Sequence, residues 1–352
     1  MLTLSLSTDH SQQPVQTGSS QLPLRLARIG VCLALVVVLL GGWTRLNDAG
    51  LSCPDWPGCY GELILPASDS GQALAQSRYP QLPLDLSRSW IEMSHRYLAG
   101  SLGLLVAALT LSGWRQRAQP GYPFGLSVLL LGLVTLQALF GMWTVTLKLL
   151  PQIVTLHLLG GLLTLTLLLR LQQRLRLHDL PNRKLQATTY TRWVGVGVML
   201  LLLQVGLGGW TSSNYAGWSC SHWFVCEQDK MQTLDFDAGF TLPPLDGRNY
   251  QGGQLPLPAR AAIQMSHRGV GLLLAAYLVG LGAVLFSQLR LRRASLAVVS
   301  VVALQLVLGG LNVHFGLPLW LAFAHHAGAV ALLVTLLGLY GQTRLTEENE
   351  HG

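Results

Sequence analysis

Apolar residues in this chain come in long runs separated by shorter polar segments. Eight such runs occur, near 26–44, 91–113, 124–146, 152–170, 193–211, 261–287, 295–313 and 319–341. A helix rises about 1.5 Å per residue, so crossing a hydrocarbon layer of about 30 Å takes about 20 apolar residues. Each run therefore predicts a spanning helix, and the chain reads as an all-α membrane protein with eight of them. Two long polar loops remain, roughly 45–90 and 212–260.

Composition agrees. Half of the residues are hydrophobic and only 11% are charged, against about 25% in soluble domains. The net charge of +7 invites a nucleic-acid reading, which its distribution excludes. Arg115, Arg117, Arg174, Arg176, Arg183, Lys184, Arg290, Arg292 and Arg293 all fall in connections on one side of the bundle. By the positive-inside rule that side is cytoplasmic, as are both termini, and the two long loops are periplasmic. Residues 1–24 carry no Lys or Arg, unlike a mitochondrial transit peptide, and no small-residue cleavage site follows the first run. The expected location is a bacterial inner membrane, with lipid as the surrounding partner.

The chain repeats itself. "GGWTRLNDAGLSCPDWPGC" (Gly41–Cys59) returns as "GGWTSSNYAGWSCSHWFVC" (Gly208–Cys226), and "IEMSHR" (Ile91–Arg96) as "IQMSHR" (Ile263–Arg268). "LQALFG" (Leu136–Gly141) returns as "LQLVLG" (Leu304–Gly309), and "HLLG" (His157–Gly160) as "HHAG" (His325–Gly328). Order is kept, each copy lying roughly 170 residues beyond the first, the signature of an internal duplication. The chain divides into a tail 1–24, a four-helix half 25–170, a basic linker 171–192, a second half 193–342 and a tail 343–352. An even number of helices per half makes both enter the membrane in the same direction. The halves are then related by a pseudo-twofold axis along the membrane normal.

Four histidines survive the duplication: His95 and His157, then His267 and His325. Each sits about five or six residues inside the periplasmic end of its span, so the two in each half are level, roughly 8 Å below the interface. Ionisable groups inside spanning helices are costly and mark function. Two imidazoles at matched depth suit the axial positions of a heme iron, whereas zinc asks for three or four ligands. His326 sits beside His325, but only His325 aligns with His157. Glu92 lies three residues before His95 on the same helix face, where a carboxylate can accept a proton. Its counterpart is Gln264, which cannot. Arg96 and Arg268 follow their histidines and could meet heme propionates or lipid headgroups. Cys53/Cys59 and Cys220/Cys226 lie in the periplasmic loops, where disulfides form. A structural staple, a redox-active thiol pair and a metal site with His222 all fit that spacing. Cys32, inside an apolar run, is expected in the core.

Taken together, the E-x-x-H of Glu92–His95, the "SHR" of 266–268, the paired loop cysteines and the eight duplicated helices resemble the heme A synthase family. The resemblance covers residues 25 to 342. It implies oxidation of the C8 methyl of heme O to a formyl group by successive hydroxylations, with water as the oxygen source. It further implies substrate heme between His95 and His157, a catalytic Glu92, and a resident heme b between His267 and His325. A heme O synthase and cytochrome oxidase assembly factors are the implied partners, along with an unnamed electron acceptor and a possible second copy of the chain. The rival reading is a diheme b-type, quinol-linked electron-transfer cytochrome, which needs the histidines but no lone carboxylate. A thiol–disulfide oxidoreductase would need only the cysteines.

Overall fold

The computed structural model describes residues 21–178, 183–185, 188–220, 222–223, 226 and 233–347, with 183–185 and 345–347 described by backbone alone. Most of the N-terminal tail, the end of the C-terminal tail, part of the linker, and His10 and His351 lie outside the described residues.

Eight helices are long and apolar enough to cross a membrane. They are α1 (Gln21–Leu46), α3 (Leu86–Trp114), α4 (Phe124–Thr146), α5 (Pro151–His178), α6 (Thr189–Ser213), α8 (Leu257–Phe286), α9 (Arg292–His314) and α10 (Leu319–Arg344). Two shorter helices, α2 (Asp69–Arg78) and α7 (Phe236–Phe240), belong to the long loops. Several spans outrun their apolar cores. Asp85 caps α3 by accepting from the Arg88 amide at 3.1 Å, and α8 starts at Leu257 behind Pro256. The last turn of α5 carries Arg176 and His178, cations that suit the negative end of a helix. Hydropathy registers the membrane boundary, while the helix continues until its backbone is capped.

Within each half the helices pack in the same ring. The first joins α1 to α3, α3 to α4, α4 to α5 and α5 to α1; the second joins α6, α8, α9 and α10 in the same way. The turns repeat as well. Leu149 and Leu317 both adopt positive φ, 61° and 58°, and their amides donate to Thr144 O and Asn312 O at 2.8 and 2.7 Å. The halves meet where α1 contacts α10 and α5 contacts α6. There Trp43 packs edge-on to Phe323 with centroids 5.2 Å apart, and His326 Nε2 lies 3.2 Å from Val38 O. The second long loop reaches over the first half, since Lys148 Nζ donates to Gly247 O at 3.0 Å and Gln152 to Pro243 O at 2.9 Å.

Two details depart from the sequence reading. A two-stranded antiparallel ribbon, β1 (Arg183–Leu185) with β2 (Leu345–Glu347), ties the linker to the end of α10. Cys32 is exposed on the outer face of α1 rather than in the core. An apolar run that lipid can solvate on every side does not reveal which face turns inward.

Candidate functional site

All four duplicated histidines line one continuous cavity of about 1590 Å³ that draws on both halves. A pocket for one small ligand measures roughly 300–1,000 Å³, so this space suits more than one. His95 from α3 and His157 from α5 face each other with ring centroids 6.4 Å apart and planes at 88°. An iron between two imidazoles, bonded to each at about 2 Å, sets the ring centres roughly 6 Å apart. His95 and His157 would be the residues to hold a heme iron at this separation. Nδ1 of His95, His157 and His325 is buried with no hydrogen-bond partner. Among the described residues no group of three or more His, Cys, Asp and Glu could hold a metal ion. The donor set is thus pairs of imidazoles, as a bis-histidine heme requires.

Each histidine rests on a glycine of the neighbouring helix. A Cβ at Gly41, Gly141, Gly208 or Gly309 would stand 2.9, 3.6, 3.2 or 3.4 Å from Cε1 of His95, His157, His267 or His325 respectively. These glycines recur in the repeat, as do two more that the quoted motifs contain. Gly160 and Gly328 lie under the amides of Gln137 and Gln305, so close that any Cβ would sit 1.9 Å from Nε2. Neither glutamine stands out in the sequence except by its place in a repeated motif, which is the signal available for it. Both line the cavity.

The halves are not identical. Gln204 of α6 places Nε2 3.0 Å from His267 Nδ1 and donates to His267 O at 2.9 Å. The matching position on α1 is Val37, whose side chain has no polar group to offer His95, although its backbone hydrogen-bonds that histidine. Glu92 is buried, only 4% exposed. One carboxylate oxygen accepts from the Cys53 amide at 2.9 Å and the other pairs with Arg96. Gln264 plays the equivalent part through neutral bonds, accepting from Ser219 Oγ at 3.0 Å and donating to Gly217 O at 2.7 Å.

The two arginines after the histidines turn toward the loops. Arg96 Nη1 donates to the carbonyls of Asp55, Pro57 and Gly58, at 2.9, 3.3 and 2.5 Å. Arg268 donates to Cys220 O at 3.0 Å, His222 O at 2.5 Å and Trp223 O at 3.0 Å. Both loops are closed by disulfides, Cys53–Cys59 with Cα atoms 4.7 Å apart and Cys220–Cys226 at 4.6 Å. Each loop is thereby fastened to the helix residue beside a histidine of the cavity. Charge-assisted donors crowned by carbonyls are among the stronger hydrogen bonds, and no hydropathy pattern announces them.

Residues 25–337 match the family model described as COX15-CtaA, cytochrome oxidase assembly protein. A protein named heme A synthase from Shewanella oneidensis is 39% identical over 89% of this chain and 94% of its own. Proteins of the same name from Beijerinckia indica and Paracoccus denitrificans are each 28% identical. They cover 94% and 87% of this chain, and 93% and 83% of their own.

Proposed function

This chain belongs to the COX15-CtaA family of cytochrome oxidase assembly proteins, and on that premise we propose that it is a membrane oxidoreductase converting heme O to heme A. The proposed reaction takes the C8 methyl of heme O to a formyl group with oxygen drawn from water, releasing protons and electrons in equal number. Heme O is the substrate, held by His95 and His157. His267 and His325 would hold a resident heme b, which would supply one-electron redox chemistry for passing those electrons to an acceptor outside the chain.

One observation carries the division of labour: the two halves share their ligands but differ in what surrounds them. The second half anchors His267 through Gln204 and has a neutral Gln264. Its histidines suit a group that stays. The first half has no such side-chain anchor on His95, where the equivalent residue is Val37, and offers a carboxylate, Glu92, one helical turn away. Within this reading Glu92 accepts a proton during the oxidation, and the guanidinium of Arg96 orients it. General bases of this kind are worth about 10²–10⁴-fold in rate. Arg96 and Arg268 hold the disulfide loops over the cavity, and Arg268 Nε, buried without a partner, is the donor left for a propionate. The basic cytoplasmic connections support an inner-membrane location with both termini inside.

Co-expression with a heme O synthase, followed by mass identification of the extracted hemes, tests the proposal. Heme A in the extract is the expected result. Heme O alone, in cells whose purified protein carries its full heme complement, counts against the activity.

A further inference from the structure

The repeat aligns more than the ligands, and two of its mismatches, running opposite to Tyr97/Gly269 and Leu104/Ala276 on the same helices, fall at the wall of the cavity. Gly100 of α3 and Ala138 of α4 stand where the second half has Leu272 of α8 and Leu306 of α9. All four residues line the cavity, and all four are exposed. In the first half, therefore, two of the smallest side chains flank the place where cavity and exterior meet. Leu272 and Leu306, 44% and 38% exposed, stand at the same place in the second. A Cβ built at Gly100 meets nothing within 4 Å, so the space beside it is open. Leu104, one turn further along α3, also lines the cavity and is 77% exposed. Ser101 and Thr135 also line the cavity beside them, and both helices are long and apolar enough to cross a membrane.

We propose that the seam between α3 and α4 is a lateral portal for the isoprenoid tail of the substrate, kept open by Gly100 and Ala138, and that Leu272 and Leu306 close the matching seam of the second bundle. This rests on the reading that heme O occupies the first half. A macrocycle held deep between two histidines cannot also bury a long hydrocarbon tail unless the wall gives the tail a way out, and lipid is its natural solvent. A tail-less resident heme needs no such opening. Two leucines at the seam hinder its escape and keep lipid from replacing it. The duplication thus supplies two sockets with the same ligands, one built for exchange and one for retention.

The test uses the full-length protein with its resident heme, titrated with heme O and, as a tail-less probe, with heme B. Gly100→Leu combined with Ala138→Leu copies the second half, so an unchanged resident-heme spectrum reports correct folding. The expected result is heme O binding weakened by about tenfold or more, the scale on which a pocket rejects extra carbon, with heme B binding unchanged. Equal loss of both probes, or of neither, overturns the portal. In the reverse direction, Leu272→Gly with Leu306→Ala is expected to speed transfer of resident heme to apomyoglobin by about tenfold, and an unchanged rate overturns the closure. His157→Ala separates the two layers of argument. If that variant binds heme O as the parent does, substrate is not in the first half and the underlying reading fails, whatever the portal variants show.

Discussion

Arg45 donates a hydrogen bond of 2.5 Å to the carbonyl of Ser212, the residue that stands at its own place in the second repeat. Asp48 does the same with its repeat partner, accepting from the Tyr215 hydroxyl at 2.7 Å. A residue that touches its own equivalent must lie beside the axis relating the two copies. The Arg45 guanidinium also stacks 4.3 Å over the Tyr215 ring and pairs with Asp48 at 3.0 Å. The halves are thus fastened near that axis, on the face that carries the two long loops, by groups that exist in only one copy each. Arg45→Ala should lower the stability of the heme-loaded protein by about 1–3 kcal/mol, read as a fall in melting temperature in detergent.

The same junction carries a pH signature. Burial pushes the Tyr215 hydroxyl above its ordinary value of 10.0, with the Asp48 carboxylate adding to the effect and Arg45 opposing it. The folded state keeps that proton longer than the unfolded chain does. Its contribution is complete below about pH 10 and is lost as pH rises through the raised value. Tyr215→Phe should flatten the alkaline fall in melting temperature; an identical alkaline limb in parent and variant would assign that fall to other groups.

Glu92→Gln is expected to keep the loop contact, because an amide oxygen can still accept from the Cys53 amide. What it removes is the charge, and with it the pair with Arg96. Resident heme should be retained while heme A formation falls by about 10²–10⁴-fold. Heme O or a hydroxylated intermediate should accumulate, as mass analysis of extracted hemes would reveal. Heme A made at the parental rate would remove Glu92 from the chemistry.

The histidine pairs should respond differently. His267→Ala or His325→Ala is expected to deplete resident heme, whereas His95→Ala or His157→Ala should leave most of it and abolish turnover. Gln204→Val copies the first half at that position and should quicken loss of resident heme without touching the ligands. Outer contacts to a ligating histidine typically account for about 10–100-fold in affinity. Equal heme loss from both pairs would instead favour a symmetric diheme cytochrome.

Both loop disulfides have Cα separations inside the roughly 4.4–6.8 Å that such bonds span. An impermeant thiol reagent should therefore label neither pair in unreduced cells and label both after reduction. Labelling of all four cysteines before reduction would show the loops to be open in the cell.

The sequence could reveal the spans, the duplication and the four histidines because each is a periodic or repeated feature. The Glu92/Gln264 difference was legible for the same reason, as an exception within a repeat. Gln204 opposite Val37 was equally available, since both precede the repeated "GGWT" by the same interval, but only packing against His267 gives that glutamine a meaning. The arginine clamps were hidden for a different reason. Arg96 and Arg268 bond backbone carbonyls, and a carbonyl carries no sequence identity. The inward face of α1 was likewise out of reach, since lipid and protein interior favour the same residues.

The glycine behind each histidine sets where the imidazole can stand. A ring pressed against main chain cannot retreat, because no flexible side chain lies behind it to yield. The separation between facing imidazoles is then governed by how two backbones cross rather than by rotamer choice, which gives the gap the stiffness of the helices themselves. That stop is tightest at Gly41, where a single methyl would intrude to 2.9 Å, and slackest at Gly141, at 3.6 Å. The His95–His157 gap is accordingly held by one unyielding jaw and one with a little play.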